Sequence, residues 1–599
     1  MKVIHKLKNF IVEGEGIDNF ILTNKTGGYA SFSNKNISKY QGVFFNEGFE
    51  KFKVIENIKI PGEMKSLINK FWCVEREREL AKEAIFMPTG HDALVYALER
   101  EAEITLVLDS RKMYDFDEWG RNYKIQEKDG KIIVTYTKEK KGKKDYEIYL
   151  AILPDRLDYD KIGKWREVDY SYDSARKSKS KIYVYDALKL RAKQVVFGFS
   201  TSKEKAIQEA EFAKNNLEAL KKEKLDELHT LKSGFMLDRQ IKMAYLCAQD
   251  SLNNLICNIN GEEGILAGLY WFDQFWSRDE LVSLKALMLE GKYKLVKQIL
   301  FKYIRKIMTD GRLPNRIPEW GKSADSVGWL FKRVSDLIEI LEEKGILMKT
   351  ISRTEAMEFK SAVEKASLSI KKNYSSEDGL ILNKEKETWM DSIARDGARI
   401  EIQAMQLNMY KLMKKLCKKL KDNAGYMLAE KSEKELLGAV RKNFWNGHYL
   451  NDGLNDKTIR PNAFIAYYIY PELLTQKQWM KCFKNILPRL WTGLGYSSVD
   501  MHHPNFQPYH TGEDDKSYHS GDSWYWINCL ATICLFRLGK FRFYKYIQRP
   551  AMAAAKDILW QGIAGSASEI SSAKDHKAFG CFDQAWSNAL FIEMVNELF

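Results

Sequence analysis

Seven acidic residues stand in short segments crowded with tryptophan, tyrosine, arginine, asparagine and histidine: Asp279, Asp325, Asp391, Asp396, Glu401, Asp522 and Glu569. Hydrolysis of a sugar linkage needs two such groups in contrasting states, one carboxyl protonated and one ionised, on opposite faces of the scissile bond. Asp391 follows Thr388, Trp389 and Met390, and an apolar, ring-lined setting raises a carboxyl pKa, as a general acid requires. Glu569 lies among small residues in GSASEISS, where an accessible, partly solvated loop would suit a general base. Asp279 adjoins Arg278, so the cation is expected to lower its pKa and keep it ionised as an acceptor for sugar hydroxyls. The stretch GLYWFDQFWSRDE at 268–280 sets five rings before that pair. Trp271 and Trp276 then read as a floor for a hexose, and Arg278 and Asp279 as the fork that binds its hydroxyls. The plainer reading is a buried helix N-terminus with a salt bridge.

Other chemistries find less support. The nine histidines include no HExxH, and His502, His503, His510 and His519 share one loop without a carboxylate at ligand spacing, so no metal is expected. GxGxxG, Walker and GxSxG motifs are absent, which leaves no sign of a nucleotide cofactor or of acyl transfer. The formal charge of +14 comes mostly from lysines scattered among glutamates. A solvated helix face accounts for that, and no nucleic-acid partner is expected. Eight cysteines without a CxxC pair read as buried thiols. No run is long and apolar enough to span a bilayer and no h-region opens the chain, so a cytoplasmic protein with no membrane contact is expected.

Two kinds of element must hold these residues. Up to about residue 200 the runs FKVIENIKI, DALVYALE, EITLVLD, KIIVTYTK, DYEIYLAIL, KIYVYDAL and KQVVFGFS are rich in β-branched and aromatic residues. They predict an antiparallel β-sandwich over 1–200. A charged helix over 201–233 reads as a rigid connector. From 234 to 599 the period becomes helical, with about twelve segments near 234–260, 278–290, 293–309, 324–343, 355–373, 399–420, 426–446, 460–470, 475–487, 521–539, 541–558 and 583–598. Six hairpins in a ring, an (α/α)6 barrel, or a superhelical solenoid would give this count. The polar and aromatic clusters precede every second helix: 270–279, 311–320, 387–397, 460–462, 518–526, and 568–570 with 584–587. In up-and-down hairpins those helix starts converge on one end, so all six clusters can line a single funnel.

These residues resemble the glycogen debranching enzymes, specifically their amylo-α-1,6-glucosidase portion. ILTNKTGGYASFSNKNISKYQG (21–42) is similar to that family's N-terminal signature. YWFDQFWSRDE, DGRLPNRIP, SADSVGW, TWMD, RIEIQA, RPN, YHSG..W and QAWS follow in the family's order. SRDE stands where WGRDT is usual, KYQG where RYHG is usual, and YHSGDSW where YHQGTVW is usual; the carboxylates are retained. The resemblance implies a β-sandwich followed by an (α/α)6 barrel like that of glucoamylases. It implies Asp391 as general acid and Glu569 as general base, with Arg278 and Asp279 gripping the terminal glucose, and it carries over Asn462, His519 and Glu401 as substrate-binding residues. The expected activity is exo-hydrolysis of α-1,6-linked glucose stubs on glycogen or a related branched α-glucan. A glucoamylase-like α-1,4 exo-hydrolase and a catalytically weak glucan-binding protein are the alternatives. The 599 residues leave no room for the transferase barrel of the eukaryotic enzymes, so cooperation with a separate glucanotransferase or phosphorylase is expected.

Overall fold

The computed structural model describes residues 1–599 except 235, 236 and 319. The first two fall in the 234–260 stretch and the third in the 311–320 cluster, so those parts of the reading lie outside the described residues. The chain forms two compact units. The first comprises Met1–Gly264, Gly268–Asp273 and Ala555–Ala567, the second Ile265–Ala267, Gln274–Ala554 and Ser568–Phe599.

The first unit is a β-sandwich. Ala93–Lys112 and Lys181–Ser200 each merge two of the runs read above as separate strands. No glycine or proline separates DALVYALE from EITLVLD, and the chain continues through a register shift between Ala97 and Ala102 instead of turning. One half of this bent pair joins Lys143–Pro154 and Lys82–Phe86, the other Tyr159–Asp169 and Glu50–Lys59. The two halves thereby seed two layers, which bury Leu94, Tyr96, Ile104, Leu106, Ile152, Leu188 and Phe197 between them. Among the described residues of this large sheet, Lys2–Leu7 runs parallel to Met64–Asn69 and the other ladders are antiparallel.

The 201–233 stretch packs on the sandwich rather than standing clear of it as a rigid connector. Its helix Lys203–Asn215 buries Ala206, Ala210 and Ala213, and these small side chains let it lie on the sheet. At Gly198 a Cβ would stand 2.3 Å from the Ala206 carbonyl oxygen, so the contact requires glycine there. The expected boundary at 233/234 also moves. The helix Arg239–Leu255 packs on the strands Phe10–Glu15 and Phe20–Thr23. Segment 555–567 returns to the same unit, where the Leu559 carbonyl accepts from His5 Nε2 at 2.9 Å and the Gly562 carbonyl from Asn19 at 3.1 Å.

The second unit is built on six helices: α1 (Ser277–Leu289), α2 (Ser326–Glu343), α3 (Ile400–Leu420), α4 (Asn462–Ile469), α5 (Tyr525–Gly539) and α6 (Ala585–Leu598). They pack in sequence order and α6 closes on α1, which makes a ring and excludes an open solenoid. Tyr293–Arg305, Arg353–Tyr374, Asn423–Phe444 and Gln476–Leu490 pack outside it, each by one apolar stripe. The ring helices are instead buried on nearly every side; α5 buries twelve of its fifteen residues. All eight cysteines are buried thiols, and no helix among the described residues is long and apolar enough to cross a membrane.

Candidate active site

Side chains from the six N-termini of the ring meet one another. Arg278 of α1 pairs with Asp325, the N-cap of α2, through Nε at 2.9 and 2.8 Å from the two carboxylate oxygens. Its Nη1 lies 3.7 Å from Asp391 Oδ2. Gln584, the N-cap of α6, donates from Nε2 to Asp279 Oδ1 at 3.0 Å. Trp389 donates from its indole to Asn462 Oδ1 at the start of α4, at 2.8 Å, and stands edge-on to Trp524 and Trp526 at the start of α5. Arg395 spans Glu401 of α3 and Asp452. Further along the same helices lies a second network, in which Lys285, Arg333, Tyr468 and Glu593 bond across α1, α2, α4 and α6. The N-terminal pole of the ring is therefore rich in rings and carboxyls, and buried charges tie the helices together below it.

Two small sheets hold the loops at the first pole. Phe275–Trp276 pairs with Leu313–Ile317, which pairs with Trp320–Ser323. Ser523–Trp524 pairs with Ile570–Ser571, which pairs with Ala578–Phe579. The second sheet places Glu569. Its Oε1 accepts from the Tyr518 hydroxyl and its Oε2 from the Cys581 amide at 2.9 Å. A Cβ on Gly580, at φ +73°, would stand 2.3 Å from Oε2, so only glycine leaves that carboxylate its place. Glu569 is 2% exposed, which corrects the expectation of an accessible loop. The small residues around it serve close packing.

Asp391 keeps 38% of its side chain exposed at the mouth of the pole. The walls around it nevertheless act as burial, raising its pKa from 3.8 to about 6 against the lowering influence of Arg278. That is the direction expected from the Thr388-Trp389-Met390 setting. The sign is definite: a carboxyl that donates a proton works while protonated, so its contribution fails as pH rises through about 6. We expect the alkaline limb of kcat/KM to carry an apparent pKa near 6; a profile flat from pH 5 to 8 would exclude Asp391 as the proton donor.

Asp279 departs from expectation. Burial, the largest influence, raises its pKa to about 8 despite Arg278, and the charges of Glu569 and Asp391 push the same way. The adjacent cation does pull the Asp279 pKa down, but burial and the two neighbouring carboxylates outweigh it, and its Nε pairs with Asp325 instead. At neutral pH Asp279 is thus mostly a protonated carboxyl, fixed through Oδ1 by Gln584 and able to donate as well as accept.

The remaining expected residues divide. Trp276 is half-buried, with Trp320 edge-on at 6.2 Å and the Arg316 guanidinium over both rings. Trp271 is counted with the first unit, where the Arg176 guanidinium lies 3.9 Å from its ring centre and Tyr172 stacks at 6.5 Å; Tyr270 bonds there to Asn19 and Ser31. The ring-rich opening stretch is thus divided between the two units. Asn462 spends both ends of its amide on Trp389 and Asp452, so it positions the tryptophan. Glu401 is fully buried under Arg395 and also supports from behind. His519 stacks on Trp524 at 4.9 Å with Nδ1 2.7 Å from the Ser392 hydroxyl. Burial and the surrounding arginines lower its pKa well below 6.5, so it is a neutral imidazole. Asp396 is exposed, and Asp522 is buried against His510 and Ser517. His502 likewise pairs with Asp500 at 3.2 Å, so two of the four loop histidines do have a carboxylate partner. Tyr518 and Gln584 were not singled out from sequence, although both lie inside the quoted clusters YHSGDSW and QAWS.

A deep set of rings completes the pole: Trp526 stacks on Trp586 at 4.8 Å, and Trp524 stands edge-on to Trp586 at 5.8 Å. Aromatic faces with carboxyls and amides between them suit a sugar, whose ring has apolar faces and a polar rim.

Comparison with known proteins agrees. A search among curated proteins finds no match. Among solved structures, a bacterial glucoamylase complexed with acarbose aligns over 98% of this chain and 95% of its own, with a TM-score of 0.61 and 13% identity, which establishes a glucoamylase-like fold. Residues 245–593 match the family described as amylo-alpha-1,6-glucosidase. That match takes in the first five ring helices and most of the sixth and spans more than half of the 599 residues, so the chain belongs to the amylo-alpha-1,6-glucosidase family and is a glycoside hydrolase of glucan-processing type.

Proposed function

We propose that this protein removes single α-1,6-linked glucose stubs from glycogen or a related branched α-glucan, in the cytoplasm, by an inverting mechanism. The carrying observation is the contrast between two carboxyls that both bear on Asp279: Asp391, raised to about 6 at the mouth, and Glu569, buried and held by Tyr518 and the Cys581 amide. Asp391 gives its proton to the glycosidic oxygen as the C1–O bond breaks. Glu569 takes a proton from the water whose oxygen joins C1. Asp279, Arg278 and Trp276 hold the terminal glucose, with Trp389 and Trp524 beyond it.

An inverting reaction needs room for a water between the two carboxyls, which stand roughly 6.5 to 9.5 Å apart in such enzymes. Water then enters opposite the leaving oxygen, and an α-linkage must first release β-glucose. Proton NMR of the earliest product tests this; initial α-glucose would make Glu569 a nucleophile.

An α-1,4 exo-hydrolase is favoured by the likeness to a bacterial glucoamylase. Glucose release from isomaltosyl and maltosyl oligosaccharides separates the two readings, and release from neither would leave a glucan-binding protein. On the α-1,6 reading native glycogen yields little glucose until a separate glucanotransferase or phosphorylase has trimmed its branches.

A further inference from the structure

The β-sandwich carries a cleft of about 340 Å³ that takes no part in the chemistry above. Four cations line it, Lys35, Lys59, Arg78 and Arg166, against one carboxylate, Glu56. The carboxylate is matched already, since Lys53 pairs with it. The arginines are matched too: Arg166 Nε bonds both oxygens of Asp186 at 3.0 and 2.9 Å, and Arg78 pairs with Glu83 while donating to Asn34 and the Gly62 carbonyl.

Lys35 and Lys59 differ. Neither has a carboxylate at ion-pair distance among the described residues. Asn57, 3% exposed and lining the same cleft, has no side-chain hydrogen bond among the described residues. Two unmatched lysines beside two arginine edges concentrate positive potential in a concave, walled site, and concave walls focus such a field on an anion. Burial, with the charges of Arg166 and Lys35, outweighs the opposing pull of Asp186 and Glu56 and holds Lys59 below the usual lysine pKa. The volume is at the small end of ligand pockets and exceeds what one anion fills.

We propose that this cleft binds a phosphate-bearing small molecule, its dianion held by Lys59, Lys35 and the arginine edges and its body seated against Asn57. Phosphate rather than carboxylate fits because several separated donors can share three terminal oxygens. The site lies wholly within the first unit, and the proposal goes beyond the hydrolase reading.

Calorimetric titration of the whole chain with inorganic phosphate, a hexose monophosphate and the free hexose tests it. The phosphate species should bind, and Lys59→Met combined with Lys35→Met should weaken them by about tenfold or more. Neither lysine supports another side chain by an ion pair, so melting temperature and glucose release from a neutral oligosaccharide should not change. Free hexose should bind the double variant and the parent alike. Tighter binding of the ester than of free phosphate would assign the rest of the cleft to its body; equal affinities would assign the cleft to phosphate alone. Absence of binding by both phosphate species, or binding indifferent to the two lysine substitutions, would overturn the proposal.

Discussion

Asp391→Asn and Glu569→Gln should each lower kcat by about a thousandfold or more, while the protein stays folded. Asparagine keeps the shape of Asp391 and can still face Arg278, but it has no proton to give at any pH. The alkaline limb near pH 6 should therefore vanish together with the rate. Glutamine at Glu569 can still accept one of the two hydrogen bonds from Tyr518 and the Cys581 amide, yet it cannot take a proton from water. Melting curves establish folding, and steady-state glucose release measures the loss. Near-normal turnover by either folded variant would sink the assignment. Two other carboxylates of the helix starts are poorly placed to take over: Asp396 is exposed, and Glu401 is enclosed by Arg395.

The second large effect is expected at Arg278. It is 3% exposed and the ion-pair partner of the fully buried Asp325. Arg278→Met leaves that carboxylate uncompensated, at a cost of about 3 to 5 kcal/mol in stability. Catalysis should suffer separately, because a guanidinium that meets sugar hydroxyls contributes about 1 to 3 kcal/mol of binding through charged hydrogen bonds. Arg278 also lowers the pKa of Asp391, so its removal should move the alkaline limb upward from about 6. The double variant Arg278→Met, Asp325→Asn separates these roles, since the amide needs no cation and much of the melting temperature should return. The limb should move back down in that variant in any case, because Asp325 raises the Asp391 pKa; if kcat/KM returns with stability, Arg278 is only a structural partner of Asp325 and the substrate contact is lost from the proposal.

Much of this organisation was legible along the chain because it is written in short-range periods. Val296, Ile299, Leu300 and Tyr303 repeat at helical spacing, and the helix Tyr293–Arg305 buries those residues. The expected segment near 399–420 is the helix Ile400–Leu420. The expectation that alternate helix starts meet came from the same pattern, since antiparallel neighbours bring every second N-terminus to one end. Arg278, Asp325, Asp391, Trp389, Asn462 and Gln584 are linked there in the structure. Strand limits were less legible: the 20-residue strands Ala93–Lys112 and Lys181–Ser200 bend through register shifts that carry no turn residues to mark them.

The linear chain thus carries the order of elements, the residue types at each helix start, and the chemistry those types permit. Which groups pair, and in which protonation state, is set by packing in three dimensions. Arg278 lies next to Asp279 in the chain, yet it pairs with Asp325, 47 residues away. Tyr518 reaches Glu569 across 51 residues. The sign of the Asp279 shift followed from those pairings, because desolvation depends on every wall that closes around a carboxyl, whereas adjacency supplies only one charge. The same cause split the rings of 268–280: Tyr270 and Trp271 found partners in Asn19, Arg176 and Tyr172, and Trp276 found Arg316 and Trp320. Local periodicity fixes which face of an element is apolar, but long-range packing fixes what that face meets, and the charge state of a buried group is set by what it meets.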